Sequence, residues 1–182
     1  MQRLKSISPE SATGKAKELM DSVRAKLGKV PNMMRTMAIS PVVLEGYLQL
    51  SGALAHGKLS VKVREQLALA VSQENGCEYC LAAHSALGKM AGLTSDQIHD
   101  SRLGTAVDAK TNALIRFARR VVETHGHVED HDLADVREAG FDDAAIAEVV
   151  AGVALDTFTN YFNIVSDTEV DFPAVPVLSA AS

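Results

Sequence analysis

Two cysteines and a histidine lie close together in the sequence, at spacings that could support chemistry. Cys77 and Cys80 are three residues apart, and His84 follows four residues after the second cysteine. Because helical residues three and four positions apart share a face, a helix here would align both thiols and the imidazole in one stripe. Such a stripe could carry out thiol–disulfide chemistry or bind a metal ion.

A glutamate in the preceding segment, Glu65, is the candidate partner of this stripe. If the segment 61–74 is helical, it is apolar on almost all sides, which predicts a buried helix. A carboxylate on a buried helix is costly unless it is protonated or has a partner. The partner of the Glu65 carboxylate is either Arg64, in a salt bridge, or a residue of the helix that follows.

Asn75 and Gly76 predict a turn between two antiparallel helices, and this turn determines what Glu65 can reach. Glu65 lies eleven residues before Gly76, and His84 lies eight residues after it. At a rise of about 1.5 Å per residue, their positions along the helix axis differ by about 4.5 Å, whereas Cys80 is offset by about 10 Å. The hairpin therefore predicts a chain of Glu65, His84 and Cys80, in the order of orienter, base and nucleophile.

Both cysteines fall in the first turn of their predicted helix, where unpaired N–H groups and the helix dipole favour a thiolate. The spacing places their Cβ atoms within reach of a disulfide but does not decide which thiol is more acidic. Cys77, the outer thiol, is better placed to exchange with a partner disulfide, and Cys80, beside the imidazole, to attack a small oxidant. Zinc binding and inert core thiols are the alternatives, although a structural zinc site usually needs two clustered ligand pairs.

Composition limits the possible partners and compartments. The chain has 182 residues, of which 47% are hydrophobic, enough for one ordinary domain with a sizeable core. The net charge of −5 comes without a basic run, so neither nucleic acid nor an anionic membrane is an expected partner. The sequence has no recognisable signal peptide or membrane span, and its two cysteines are too few for a disulfide framework. A cytoplasmic location is therefore expected.

The pattern of caps, prolines and glycines predicts an all-α fold with a central antiparallel helix hairpin. Residues 1–182 are expected to form one domain, with the core motif at about 60–92. A capping box is expected at 94–97. The predicted helices are 9–27, 41–56, 61–74, 77–90, 108–124, 132–139 and 143–166, and 31–38 is expected to form a short turn or helix.

Other polar residues give weaker signals. His125, His127 and His131 cluster with acidic residues, but nothing in the sequence fixes a metal-binding geometry, and a solvated loop is the expected interpretation. Asn160 and Asn163 lie on a long apolar helix. They either line the pocket above the thiols or satisfy buried backbone groups.

The residues around the cysteines resemble the alkyl hydroperoxidase D-like (AhpD-like) group of the carboxymuconolactone decarboxylase superfamily. The resemblance combines the glutamate, the Cys-x-x-Cys spacing and the histidine, and segments on both sides are similar to the peroxidase-related subgroup, so it covers almost the whole chain. The segments that carry it are 30–33, 40–41, 64–65, 75–84, 160–163 and 171–173.

This resemblance implies an all-helical protein that forms homotrimers or homohexamers and acts as an antioxidant peroxidase through its cysteine pair. It implies that Cys80 attacks the peroxide, that Cys77 resolves the intermediate, and that Glu65 and His84 relay protons. The best-studied members have a histidine where this chain has Tyr79, so a local proton donor is either missing or replaced by a phenol.

The predicted function is therefore a thiol-dependent peroxidase that acts on an alkyl hydroperoxide or hydrogen peroxide. An external dithiol or disulfide-reducing protein would donate the electrons, and no metal, haem or flavin is required. One alternative is a zinc-binding or non-catalytic protein that uses the Cys/Cys/His stripe. Another is a lactone-processing enzyme with Glu65 and His84 as acid and base, although the lactone decarboxylases lack this cysteine pair.

Overall fold

The computed structural model describes residues 2–175 and 178, and this part of the chain is all-α, as predicted, with no β-strand. The predicted single domain of 1–182 also includes residues 1, 176–177 and 179–182, which lie outside the described part. The helices are α1 (Gly14–Leu27), α2 (Asn32–Met37), α3 (Pro41–Leu54), α4 (Val61–Glu74), α5 (Glu78–Met90), α6 (Ser95–Arg102), α7 (Ala109–Glu123), α8 (Asp130–Glu138) and α9 (Asp143–Ser166).

Two helix starts differ from the prediction by two residues or more, and local hydrogen bonds explain both. The N–H groups of Ser11 and Ala12 bond to the Ser8 carbonyl, which closes an isolated turn, so α1 begins at Gly14 instead of residue 9. At α8, Glu129 forms a capping box with the residue at the third helical position, so this helix begins two residues before the predicted start. The capping box predicted at 94–97 is present.

Helix α4 lies at the centre of the fold and contacts α5, α6, α7 and α9. Every residue from 66 to 72 is buried, including the polar Gln66 and Ser72, so the middle of this helix is enclosed on all sides, as predicted. Its start is fixed by Ser60, whose hydroxyl accepts a hydrogen bond from the Val63 N–H group at 3.3 Å. This helix is therefore the fixed element on which the candidate site is built.

The predicted α4–α5 hairpin is present and turns at Asn75 and Gly76. Gly76 adopts a left-handed backbone conformation with φ of 68°, which glycine tolerates without strain. The next N–H group, that of Cys77, bonds back to the Ser72 carbonyl at 3.0 Å. Cys77 is the N-cap of α5, and its sulfur accepts a hydrogen bond from the Cys80 N–H group at 3.3 Å.

The hydrophobic core divides into two main clusters. One contains both cysteines and is built mainly from α1, α2, α3 and α5. The other joins α4, α7, α8 and α9. No helix in the described part of the chain is both long enough and apolar enough to cross a membrane.

Candidate active site

Cys77 and Cys80 form a disulfide bond at the N-terminus of α5, with their Cα atoms 5.3 Å apart. The predicted pairing is therefore present. The two residues are only 1% and 2% exposed, so the bond lies beneath the surface. An external reductant needs a local opening of the structure to reach it.

Glu65 and His84 form the contact that the hairpin predicts. Glu65 Oε2 lies 2.8 Å from His84 Nδ1, and both side chains are largely buried. The alternative partner, Arg64, instead donates a hydrogen bond to the Leu59 carbonyl. The carboxylate thus orients the imidazole, which lies one helical turn beyond Cys80 on α5.

The surroundings of His84 favour its protonated form. Burial alone would lower the pKa of the imidazole, but the charge and hydrogen bond of Glu65, together with the charge of Asp156, raise that pKa above its ordinary value. His84 is therefore protonated more readily than an ordinary imidazole.

Asp156 on α9 is a member of this cluster that the sequence analysis missed. It is half-buried, and desolvation together with the nearby charge of Glu65 raises its pKa to about 7, although His84 opposes the shift. Burial and the charge of Asp156 also raise the pKa of Tyr47 on α3 to about 12. Four helices thus bring titratable groups to one place.

The sequence contained a signal for Asp156. Asp156, Asn160 and Asn163 occur at helical spacing on an apolar helix, which predicts a polar stripe on one face of α9. No local pattern, however, indicates which helix that stripe faces.

The two predicted pocket asparagines have different surroundings. The Nδ2 group of Asn163 donates to Cys80 Sγ at 3.3 Å, and its Oδ1 atom is buried without a hydrogen-bond partner among the described residues. Asn160 instead donates to Ser72 Oγ at 3.2 Å and accepts from Asn75 Nδ2 at 2.9 Å. Asn163 therefore belongs to the thiol site, whereas Asn160 fastens α9 to the α4 hairpin.

The hydroxyl of Tyr79, which lies between the two cysteines in the sequence, bonds to residues outside the cysteine pair. Its hydroxyl donates to Asp171 Oδ1 at 2.8 Å and accepts from the Met33 N–H group at 3.1 Å. Its ring meets Phe172 edge-on, with centroids 5.7 Å apart. Burial raises the pKa of the phenol. The side chain therefore joins α2 and the segment after α9 to the start of α5.

The remaining candidates do not extend the site. Within residues 2–175 and 178, no three histidine, cysteine, aspartate or glutamate side chains are grouped so that they could hold a metal ion. His125, His127 and His131 therefore form no such group in this part of the chain. A cavity of about 280 Å³ lies between α7 and α8, and none of its lining residues belongs to the cysteine cluster.

Comparison with known proteins agrees with this fold and hairpin. Residues 41–124, which contain Glu65, both cysteines and His84, match the model of the carboxymuconolactone decarboxylase family. The matched segment contains the glutamate, cysteines and histidine on which the AhpD-like resemblance rests, and the match agrees with that resemblance. No curated protein matches the chain.

Solved structures show the same fold over nearly the whole chain. The alkylhydroperoxidase AhpD core of a peroxidase-related protein from Ralstonia eutropha JMP134 superposes with a TM-score of 0.83 and 24% identity, over 93% of this chain and 92% of that one. A peroxidase-related protein from Silicibacter sp. TM1040 superposes with a TM-score of 0.82 and 22% identity, over 92% of this chain and 91% of that one. The C82A variant of the debrominase Bmp8, in complex with 2,3,4-tribromopyrrole, superposes with a TM-score of 0.79 and 17% identity, over 92% of this chain and 91% of that one.

Proposed function

We propose that the protein is a cytoplasmic thiol-dependent peroxidase that reduces an alkyl hydroperoxide or hydrogen peroxide through Cys80 and Cys77. The observation that carries this proposal is the contact between Glu65 and His84, one helical turn from a cysteine that is already paired with its neighbour. Nucleophile, proton-transfer group and orienting carboxylate then lie in sequence along one hairpin. The peroxidase-related neighbours of the same fold support it.

In the first step, the Cys80 thiolate attacks the terminal oxygen of the hydroperoxide. The imidazolium of His84, held by Glu65, stabilises this thiolate, because an adjacent positive charge favours the ionised thiol. The S–O bond forms as the O–O bond breaks. The departing alkoxide takes the proton from His84 and leaves as an alcohol, so Cys80 becomes a sulfenic acid.

In the second step, Cys77 attacks the sulfur of the Cys80 sulfenic acid. The S–S bond forms as the S–O bond breaks, and the departing hydroxide combines with the Cys77 thiol proton to give water. Two thiols and one hydroperoxide thus yield a disulfide, an alcohol and water. An external dithiol, or a disulfide-reducing protein, then restores both thiols by exchange.

The decisive experiment measures turnover with a panel of hydroperoxides and dithiols. We expect hydroperoxide-dependent oxidation of the dithiol that is abolished in both Cys80→Ser and Cys77→Ser. A dimedone-type reagent should trap a sulfenic acid on Cys80 in Cys77→Ser but nothing in Cys80→Ser. A parent protein whose thiols survive excess hydroperoxide would contradict the proposal.

Two control substrates separate the competing activities. A lactone-processing enzyme would turn over a lactone even when both cysteines are replaced by serine, because Glu65 and His84 would carry that reaction. The debrominase fold neighbour makes 2,3,4-tribromopyrrole the second control, and bromide release from it that exceeds peroxide turnover would replace the proposed substrate class.

A further inference from the structure

Asn163 contacts the sulfur of Cys80 and also presents a polar atom that has no partner. Its Nδ2 group lies 3.3 Å from Cys80 Sγ, and no described residue bonds to its Oδ1 atom. The side chain is only 4% exposed. Because buried amide oxygens almost always accept a hydrogen bond, this oxygen points to a group that binds beside the sulfur during the reaction.

The orientation of the amide follows from the chemistry of the sulfur. A disulfide or thiolate sulfur has lone pairs but no hydrogen, so it can only accept a hydrogen bond. The Nδ2–H group of Asn163 must therefore be the end of the amide that contacts Cys80, which leaves the neighbouring Oδ1 atom able to accept a hydrogen bond from another group. The same orientation suits the oxidised protein and the reactive thiolate.

The backbone of Asn163 is held in place at the end of α9. Its carbonyl accepts a hydrogen bond from the Thr168 N–H group at 3.1 Å. One turn earlier, Asn160 ties the same helix to Ser72 on α4. The amide is thus supported on both sides and does not depend on the disulfide for its position.

We propose that Asn163 is a further catalytic residue of the peroxidase reaction, an inference that rests on the proposed function. Its Nδ2–H group stabilises the Cys80 thiolate, and its Oδ1 atom accepts the hydrogen of the terminal O–H group of the bound hydroperoxide. That hydrogen stays on its oxygen when the S–O bond forms and the O–O bond breaks. The hydrogen bond that orients the hydroperoxide therefore becomes the one that holds the Cys80 sulfenic acid.

The stabilisation of the thiolate can be tested without any peroxide. In a Cys77→Ser background, the rate of Cys80 alkylation by iodoacetamide as a function of pH gives the pKa of the single thiol. Asn163→Leu removes the donor at similar volume, and we expect the thiol pKa to rise by about one unit, which is about tenfold less thiolate at neutral pH. An unchanged thiol pKa would overturn this role.

The role of Oδ1 is tested by the rate constant for the reaction of Cys80 with hydrogen peroxide. This rate constant is divided by the fraction of Cys80 that is thiolate at the same pH, so that a change in the thiol pKa does not affect the result. We expect this corrected rate to fall a further five- to tenfold in Asn163→Leu, about the value of one hydrogen bond. A corrected rate equal to that of the parent would overturn the role of the acceptor. The parent protein could fail to react with hydrogen peroxide while Asn163→Leu still raises the thiol pKa. In that case the peroxidase function and the acceptor role of Oδ1 both fail, but the stabilisation of the thiolate by Nδ2 stands.

Two further variants separate catalysis from folding. Asn160→Ala removes a polar side chain from the same face of α9, and it should lower the melting temperature without moving the thiol pKa. If it shifts the thiol pKa as much as Asn163→Leu, the effect is structural and the proposal fails. Asn163→Asp keeps the volume but replaces the donor with a carboxylate, so it should raise the thiol pKa at least as much, even if the leucine variant does not fold.

Discussion

Tyr79 donates a hydrogen bond to Asp171 at 2.8 Å, although the two residues are 92 positions apart in the chain. Asp171 also accepts from the Asn32 N–H group at 3.3 Å and pairs with Lys29 at 3.4 Å. One carboxylate thus connects the start of α5, the start of α2 and the segment after α9. This connection lies next to the buried cysteine pair.

Removing the phenol hydroxyl should therefore affect stability more than peroxide chemistry. Tyr79→Phe leaves the Met33 N–H group without its acceptor and removes one of the three partners of the Asp171 carboxylate, so we expect the free energy of unfolding to fall by about 1–3 kcal/mol. Urea unfolding measures this change. The rate of sulfenic acid formation in Cys77→Ser should change little, because the hydroxyl is bonded to Met33 and Asp171.

Tyr161→Phe is the matched control, because it removes the same hydroxyl from a side chain that is 54% exposed in the single chain and keeps its apolar ring. We expect this variant to unfold like the parent. If Tyr79→Phe slows peroxide attack by tenfold or more at unchanged stability, the phenol takes part in the chemistry and our interpretation of its bonds is wrong.

The Glu65–His84 relay predicts strongly non-additive mutations. His84→Ala should slow peroxide attack on Cys80 by about 10²–10⁴-fold, the usual contribution of a positioned proton-transfer group. Because Glu65→Gln acts through His84, the double variant should be little slower than the slower single variant. Stopped-flow measurement of single-turnover oxidation gives all three rates, and formation of the disulfide by Cys77 should survive in Glu65→Gln.

His99→Ala provides the control for this series, since His99 is an exposed histidine on α6. It should react with peroxide at the parent rate. Should His84→Ala do the same at neutral pH, the imidazole is only a packing residue and the proposed mechanism fails.

The contact between Glu65 and His84 could be predicted because every step toward it is local. A serine cap, a helix of regular rise and an Asn-Gly turn place the two side chains at nearly the same position along the hairpin. The placement of Asp156 could not be predicted in this way, since it depends on how α9 packs on a hairpin about 70 residues earlier. The start of α1 was mispredicted because Ser8 suits an isolated turn as well as a helix cap.

Asp156 predicts a pH-dependent stability. Its pKa in the folded protein is about 7, against 3.8 for an ordinary aspartate. Between these values the folded state binds more protons than the unfolded state, so this group lowers stability as the pH rises from about 4 to 7. Asn cannot titrate, so Asp156→Asn removes this loss of stability. The difference in the free energy of unfolding between the variant and the parent should therefore change in favour of the variant as the pH rises over that range. Urea unfolding at pH 4.5 and pH 8 tests the difference.

The same variant should also lower the pKa of His84, because the charge of Asp156 helps to raise it. Titration of the His84 ring protons by NMR measures that change directly. Asp100→Asn on α6 is the control and should leave the His84 titration unchanged. A parent and an Asp156→Asn variant with identical pH dependence of stability would show that Asp156 titrates like an exposed carboxylate.

The last prediction concerns assembly and rests on one face of α9. Val150, Phe158, Tyr161 and Val165 are 40–61% exposed, and their spacing places all four on the same side of the helix. A contiguous apolar stripe of this kind is typical of a surface that a partner covers. The resemblance implies a homotrimer or homohexamer, and we expect α9 to be buried between the copies of this chain in it.

Light scattering at micromolar concentration should give a mass three or six times that of the chain. Tyr161→Glu places a charge in the middle of the stripe and should shift the protein toward the monomer, because burying an unpaired carboxylate is costly. Met90→Glu is the matched control, since Met90 is 83% exposed at the end of α5. A parent protein that is monomeric, or a Met90→Glu variant that dissociates as readily as Tyr161→Glu, would contradict an interface on α9.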